Sequence, residues 1–312
     1  MAITYTETPE NFFEIESLME TKIEEKVTIF FSAKRVLFYD VCSFQKHSGL
    51  PENERNILIN YFKEREMVIF ITRCIMMELA SPQQRLTENQ INFLREMKNS
   101  GIKIILFDEE NVYDILSECF STNEKINGYL MWAVRVAKSP VSTITETLNV
   151  DKKLTSEVLE GKNLKSSDLY KRFFEAVRKK KEQDDNLGEE LIVICVHILS
   201  QLPGMPKGKL CVLTDDKGTV GKISSVMRRT KTIYRGAKIL LFSTPKLVQH
   251  MFQEHVMITE DEMVNLISQG VSGNVVVMGT TAFDLDVNEK ISMTSRKLVQ
   301  KIMEPHGISI IF

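Results

Sequence analysis

The sequence predicts an α/β protein of three layers, in which a central parallel sheet of about five strands lies between two layers of helices. Short apolar runs alternate along the chain with longer segments whose apolar residues recur at helical spacing. Short connections join these segments, and this rhythm is typical of parallel strands linked by crossover helices. Carboxylates also follow several of the apolar runs, at the edge of the sheet where open α/β proteins bind their ligands.

Three strands and the helices between them are predicted in the first part of the chain. The strands cover Val36–Asp40, Met67–Ile71 and Ile102–Phe107. The first of them is expected to run on into Val41–Phe44. Apolar residues lie on one face of Pro51–Lys63 and of Leu86–Asn99, which indicates helices, and Gly101 is well placed to end the second.

Later segments supply the remaining two strands of the sheet. Asp184–Leu199 begins with acids and continues as an almost wholly apolar helix, so we expect it to be buried on most sides. The fourth strand lies within Lys209–Thr214 and the fifth within Lys238–Phe242. The helix after the fifth strand is expected to begin at Ser243 or Thr244, because hydroxyl side chains favour the first position of a helix.

The chain is expected to divide into a central domain and two flanking regions. An N-terminal helical segment covers residues 1–34, and a small C-terminal α+β unit covers residues 256–312. Between them lies the sheet domain of residues 35–255, with a helical insertion at about 120–182. In the C-terminal unit, Thr259–Glu262 has the spacing of a helix cap. Asn274–Met278 and Ile308–Phe312 are predicted strands, with a helix over Ser295–Met303 between them.

Composition sets few limits on the partners of the chain. Of its 312 residues, 40 are Lys or Arg and 42 are Asp or Glu, so only a local basic patch could bind a polyanion. The five cysteines are dispersed without a Cys-x-x-Cys spacing, which argues against a zinc knuckle or a disulfide framework. No signal peptide is recognisable and no apolar run reaches the roughly 18 residues of a membrane helix. A cytoplasmic protein is expected.

Isolated acids occur at matching places along the predicted sheet. Asp40 ends the first strand, Asp215 and Asp216 end the fourth, and Glu78 and Glu189 lie on adjoining helices. If the first and fourth strands are neighbours, these carboxylates meet in one crevice. Clustered carboxylates repel one another and are normally neutralised by a divalent cation, and an all-oxygen ligand set selects Mg²⁺ or Mn²⁺.

Each of these features also has a purely structural interpretation. Asp215 and Asp216 could form a polar turn after the strand. Asn186 and Glu189 have the spacing of a capping box, in which the glutamate bonds back to the cap amide. The basic run Arg178–Lys181 fits either a solvated helix face or a phosphate-binding patch beside an active site.

Four acid motifs, taken in order, resemble those of the PIN domain family of metal-dependent ribonucleases, structural relatives of the flap endonucleases. The motifs are Tyr-Asp40-Val-Cys-Ser-Phe, Ile-Thr-Arg-Cys-Ile-Met-Met-Glu78-Leu, Leu-Gly-Glu189-Glu-Leu-Ile and Val-Leu-Thr-Asp215-Asp216-Lys. The resemblance covers about residues 35–120 and 183–255. Val41-Cys42 stands where small hydroxyl residues are commoner in the family, and the insertion and the C-terminal unit have no counterpart in it.

The resemblance implies a metal site and a set of substrate contacts. Asp40, Glu78, Glu189 and Asp216 would be the catalytic residues and would hold one or two Mg²⁺ or Mn²⁺ ions, with Asp215 as an auxiliary ligand. The metal would lower the pKa of a bound water that attacks a phosphodiester. The implied substrate-binding residues are Ser43, Thr214, Lys217, Arg228, Arg229, Lys179 and Lys180, with Ser43 or Thr214 orienting a ligand through its hydroxyl.

The function expected from the resemblance is hydrolysis of single-stranded or structured RNA by a divalent-metal-dependent endoribonuclease. A non-catalytic PIN-like module that binds RNA or a protein is the alternative from another class, and a structure-specific DNA nuclease is a third hypothesis. The insertion could arch over a DNA flap, but it lacks the density of aromatic and basic residues expected for stacking single-stranded bases. RNA is favoured as the partner, and the choice between RNA and DNA stays open. No membrane partner is expected, while a homo-oligomer and an inhibitory protein partner stay open.

Overall fold

The computed structural model of the chain describes residues 5–81, 83–138, 142–216, 218, 219, 221–223, 225, 236–281 and 289–312. Its main sheet has five parallel strands in the order β3-β2-β1-β4-β5. These strands are β1 Arg35–Tyr39, β2 Met67–Thr72, β3 Ile104–Phe107, β4 Leu210–Leu213 and β5 Leu240–Phe242. The predicted α/β class and parallel sheet are therefore confirmed.

The central strands are buried on both faces, and their composition explains why. In β2 and β4 every residue is buried, and such strands consist of continuous apolar runs rather than alternating ones. Phe38 of β1 is in register with Phe70 of β2 on one side and with Val212 of β4 on the other. Tilted and edge-to-face contacts among Phe38, Phe70 and Phe107 add to the core at this level of the sheet.

Helices cover the sheet and build the insertion. In chain order they are α1 Ile23–Ser32, α2 Val41–Ser48, α3 Glu52–Glu64, α4 Arg73–Ala80, α5 Glu88–Asn99, α6 Val112–Ser117, α7 Asn123–Ala137, α8 Thr143–Val150, α9 Lys152–Val158, α10 Leu169–Arg178, α11 Leu187–Ser200, α12 Thr244–Gln253, α13 Glu260–Ser268 and α14 Ser295–Met303. The predicted run of the first strand into Val41–Phe44 is wrong, because the chain turns at Asp40 and these residues begin α2.

The order of the strands reverses between β1 and β4. The chain adds β2 and β3 on one side of β1 and then crosses to add β4 and β5 on the other. Tyr39 pairs with Leu213, so the carboxyl ends of β1 and β4 finish side by side. Such a reversal opens a crevice beyond the strand ends, where ligands of open α/β sheets bind.

The insertion is a set of helices that packs against the sheet domain. Helix α7 lies along α11, and α10 contacts both α7 and α8. Tyr170 of α10 is buried and donates a hydrogen bond to the carbonyl of Ile126 in α7 at 2.9 Å. Helix α11 contacts α7 of the insertion and α4 of the sheet domain, so it is packed between the two.

The N-terminal segment runs along the β3 edge of the sheet. The expected helix is α1, preceded by two single turns of 3₁₀ helix at Phe12–Glu14 and Glu16–Leu18. Glu20 donates its backbone N–H to Ile104 and accepts one from Leu106, which extends the sheet by a single bridge. Ile15 and Met19 are buried in the main core, so this segment is an integral part of the domain.

The C-terminal unit has a separate antiparallel sheet in the order β7-β6-β8. Its strands are β6 Val275–Thr281, β7 Glu289–Met293 and β8 Ile308–Ile310. Thr259 caps α13 as predicted, and with Glu262 it forms a capping box. The side chain of Gln249 in α12 bonds to Ile308 and Ile310, which ties the unit to the sheet domain. None of the helices in the described ranges is both long and apolar enough to cross a lipid bilayer.

Candidate functional site

Asp40 lies at the turn from β1 into α2 and is completely buried. Its Oδ2 accepts hydrogen bonds from Thr214 Oγ1 at 2.7 Å and from Cys42 Sγ at 2.8 Å. Its Oδ1 is buried and has no hydrogen-bond partner among the described residues. Burial raises the pKa of the Asp40 carboxyl above its usual range, and the charge of Asp216 acts in the same direction.

Thr214 joins the ends of the two central strands. Its hydroxyl donates to Asp40 and accepts from the backbone N–H of Asp216 at 3.0 Å. The residue is fully buried, so the predicted contact between Thr214 and a substrate is wrong. The hydroxyl instead orients the carboxylate of Asp40.

Asp216 is partly exposed and closes the turn that follows β4. Its carboxylate accepts hydrogen bonds from the backbone N–H of Gly218 at 2.9 Å and of Thr219 at 3.3 Å. The Thr219 hydroxyl also donates to it at 3.1 Å. The polar-turn interpretation of Asp216 is therefore confirmed, and it does not conflict with a role in binding, because carboxylate oxygens accept more than one bond.

Asp215 points into a separate, well-satisfied pocket. Its oxygens accept the backbone N–H of Thr244 at 2.7 Å, the Thr244 hydroxyl at 2.5 Å and the Ser43 hydroxyl at 3.1 Å. Lys46 Nζ lies 3.8 Å away. Burial alone would raise the pKa of Asp215, but Lys46 and the hydrogen bonds outweigh it and lower the pKa. We therefore correct the expected role of Asp215 from auxiliary metal ligand to positioning residue at the start of α12.

Ser43 shares this pocket. It is completely buried and donates to Asp215, so the prediction that Ser43 binds substrate is wrong. A buried chain of hydrogen bonds, not predicted from the sequence, continues from Asp215 through Thr244. The Thr244 hydroxyl lies 2.9 Å from His47 Nε2, and His47 Nδ1 bonds in turn to the Tyr39 hydroxyl. Because the Thr244 hydroxyl donates to Asp215, His47 donates from Nε2 and Tyr39 donates to Nδ1. Burial lowers the pKa of His47 to about 3, so the imidazole is neutral.

Glu78 of α4 lies against the first turn of α11, the turn that carries Glu189. The backbone N–H of Gly188 donates to Glu78 Oε1 at 3.3 Å. A Cβ atom at Gly188 would lie 2.7 Å from that oxygen, which is closer than real Cβ contacts allow. The glycine therefore permits the close approach of α4 to the turn of α11 that carries Glu189.

The pKa values of Glu78 and Glu189 are both raised, mainly because the two carboxyl groups are buried near other acids. Burial, followed by the charges of Asp40 and Glu78, raises the pKa of Glu189 to about 8. Burial also raises the pKa of Glu78 to about 7, with Asp40 contributing and Lys181 opposing. Glu189 Oε2 is buried without a hydrogen-bond partner in the described part of the chain. Asn186 makes no side-chain cap, so the predicted capping box with Glu189 does not form.

The basic run after α10 is largely committed to ion pairs. Arg178 is buried against Glu7, Glu109 and Glu110, and Lys181 pairs with Glu78 and Asp185. Neither a solvated helix face nor a phosphate-binding patch therefore describes Arg178 and Lys181, the two ends of the run. The middle residues, Lys179 and Lys180, are exposed. The other predicted basic contacts, Lys217, Arg228 and Arg229, lie outside the described residues.

The acid cluster, which consists of Asp40, Glu78, Glu189 and Asp216, has the chemistry of a site for a hard divalent cation. Its side chains are not arranged around a single ion position in the described part of the chain. Its donors are all carboxylate oxygens, and two of them, Asp40 Oδ1 and Glu189 Oε2, are buried and unpartnered within the described ranges. Among the residues that the structure describes, no three His, Cys, Asp or Glu side chains are placed to share one ion. Glu78 is held by Lys181 and Gly188, and Asp216 is held by Thr219.

Comparison with protein-family models, with curated proteins and with solved structures gave no match for this chain. The resemblance drawn from the four acid motifs therefore stays a prediction, and the case for a function depends on the residues themselves.

Proposed function

We propose that the protein is a divalent-metal-dependent nuclease that hydrolyses RNA, with its metal held by Asp40, Glu78, Glu189 and Asp216. The proposal is carried by one observation. Two of the carboxylate oxygens at the switch point of the parallel sheet, Asp40 Oδ1 and Glu189 Oε2, are buried without a partner among the described residues, and burial raises the pKa of Asp40, Glu78 and Glu189. A buried, unpaired carboxylate costs several kcal/mol, so such a cluster is unfavourable unless a cation or protons neutralise it.

The surrounding residues support a binding role for the four acids. Thr214 and Cys42 both donate to one oxygen of Asp40, and the other has no partner among the described residues and is available to a cation. The amide of Gly188 holds one oxygen of Glu78. A divalent cation in this cluster would lower the pKa of water and stabilise charge on the leaving oxygen of a phosphodiester. No cysteine or histidine nucleophile is required, and burial raises the pKa of Cys42 so far that its thiol stays protonated.

The exposed lysines after α10 are the described candidates for contact with the nucleic-acid backbone. Lys179 and Lys180 project from the same connection that carries Lys181. Lys179 also lines a cleft with Tyr5, Met77 and Lys181, on the side of the acid cluster that Glu78 occupies. Neutralising a phosphate there would add affinity that falls as salt is raised, without reading the sequence of the bases.

A non-catalytic module that binds RNA or a protein is the second candidate. The observation that favours it is the ion pair of Glu78 with Lys181, since a cluster neutralised in this way does not need a metal. The two candidates differ in a simple measurement. A nuclease cleaves RNA only with the divalent cation, whereas the module binds RNA without cleaving it.

The test is cleavage of a labelled single-stranded RNA by the purified protein with Mn²⁺ or Mg²⁺, and its loss on adding EDTA. Asp40→Asn and Asp216→Asn are each expected to reduce the rate by at least about 100-fold, more than the loss of an outer partner of a metal ligand. Glu88→Gln, an exposed acid on α5, is the control and should leave the rate unchanged. Cleavage of single-stranded DNA at the same rate would favour a DNA nuclease, and metal-independent RNA binding without cleavage would favour the module.

A further inference from the structure

We infer that Lys181 is a built-in counter-ion of the acid cluster, which a divalent cation must displace from Glu78 before the site can assemble. The inference depends on the proposed function, since it concerns the same carboxylates. It explains why the predicted ligands are gathered but are not arranged around a single ion position in the described part of the chain. It also assigns a role to Lys181 that differs from both sequence interpretations of its basic run, the solvated helix face and the phosphate-binding patch.

Lys181 is a buried lysine whose ammonium group lies between two carboxylates. Its Nζ lies 3.0 Å from Glu78 Oε1 and forms a second ion pair with Asp185. Its side chain is 3% exposed, whereas lysine is rarely buried unless it is paired. The oxygen that it contacts is the one that also accepts the N–H of Gly188. An ammonium group and a metal ion bound to Glu78 would therefore compete for the same carboxylate.

The N-terminal strap, residues 5–11, covers Lys181 from outside. The aromatic ring of Tyr5 lies 5.1 Å from Lys181 Nζ, within the range of a cation–π contact. Glu7 pairs with Arg178 at 3.1 Å, and its carbonyl accepts from Arg73 at 3.2 Å. Asn11 is fixed to Leu86 by two hydrogen bonds at 3.1 Å and 3.0 Å. The strap thus holds the connection after α10 in the position that brings Lys181 to Glu78.

When two cations compete for one carboxylate, the binding of either weakens the binding of the other. Removing the ammonium should leave Glu78 free and increase the affinity of the cluster for a divalent cation. If Lys181 instead served only to orient Glu78 as a ligand, its removal would weaken the binding of that cation. The sign of the change in affinity therefore distinguishes a competing counter-ion from a supporting one.

The experiment is a titration of the full chain with Mn²⁺, in which the free ion is measured by electron paramagnetic resonance. Lys181→Met should bind Mn²⁺ about 10-fold more tightly than the wild type, a change of about 1.4 kcal/mol. Lys181→Arg keeps the charge and should remain within about twofold of the wild type. The control is Lys171→Met on α10, which removes the same charge from a side chain that is 69% exposed and should change the affinity less than about twofold.

A second measurement needs no variant. Lys181 of the wild type should react slowly with an amine-reactive acetyl ester, because its side chain is buried. Mn²⁺ should increase the modification of Lys181 several-fold relative to that of Lys171. Peptide mass spectrometry measures both modifications. Equal affinity of Lys181→Met and wild type, weaker binding by Lys181→Met, or modification unchanged by Mn²⁺ would each overturn the inference while leaving the metal site in place. Absence of Mn²⁺ binding from the wild type and from all variants would overturn the proposed function with it.

Discussion

Thr214 donates its hydroxyl to the carboxylate of Asp40 across 2.7 Å, and this buried bond joins the carboxyl ends of β4 and β1. Neither residue is accessible to solvent. The bond fixes one oxygen of Asp40 and leaves the other without a partner in the described ranges. The same threonine accepts the N–H of Asp216, so one hydroxyl positions two of the four acids in the proposed metal site.

Replacement of Thr214 by Val should destabilise the protein by about 1–3 kcal/mol, because it removes a buried donor to a carboxylate and leaves an N–H without its acceptor. The measurement is urea unfolding in the presence of EDTA. Thr214→Ser keeps the hydroxyl and is the matched control, with a loss of less than about 1.5 kcal/mol from the missing methyl group. Equal stability of Thr214→Val and wild type would show that the bond between the strand ends is dispensable.

Gly188→Ala should lower metal-dependent cleavage by at least about 10-fold, the effect expected when a partner of a metal ligand is disturbed. Its Cβ would meet Glu78 Oε1 at 2.7 Å and push α11 or the glutamate away. Gly128→Ala on α7 is the control, because a Cβ there would meet no heavy atom of another element within 4 Å in the described part of the chain. That change should leave activity unaltered and add about 0.5–1 kcal/mol of stability. Similar activities in the two variants would contradict the role assigned to the close approach at Gly188.

The stability of the metal-free protein should depend on the pH through Glu189. Its pKa rises from an ordinary value of 4.5 to about 8 on folding. Below pH 4.5 the carboxyl is protonated in both states and adds no penalty. As the pH rises from about 4.5 to about 8, the unfolded chain ionises first, so the free energy of unfolding should fall across this window.

Thermal melts in EDTA between pH 5 and pH 8 test this dependence by comparing the wild type with Glu189→Gln. The variant cannot ionise at this position, so its melting temperature should exceed that of the wild type by an amount that grows with pH. Adding Mn²⁺ should reverse the order, since only the wild type gains a charged ligand. A constant difference over the whole pH range would show that Glu189 does not titrate in the folded protein as described.

Much of the fold could be predicted from the sequence because its central strands are buried on both faces. The apolar runs Val36–Tyr39 and Leu210–Leu213 stand out from their surroundings for this reason. Strand β7 was not predicted, since its residues Glu289 to Met293 are mostly exposed and carry charges at one end. Its place is determined by pairing with β6, which is a tertiary contact rather than a local preference.

The candidate site was predictable in part. The acids at the ends of apolar strands could be recognised because burial next to such a strand is costly for a carboxylate. The ion pairs of Arg178 with Glu7 and Glu109 could not, because the partners lie 171 and 69 residues away in sequence. The pairing of Lys181 with Asp185 did have a local signal, a spacing of four residues with opposite charges. The buried chain from Tyr39 to Asp215 has no signal in sequence spacing.

The most direct measurement of the central claim is a calorimetric titration of the purified protein with Mn²⁺, repeated with Asp40→Asn. We expect saturable binding by the wild type and at least about 10-fold weaker binding by the variant, with both proteins folded by circular dichroism. Absence of binding by the wild type, or equal affinity of the two proteins, would contradict the claim that these carboxylates form a metal site.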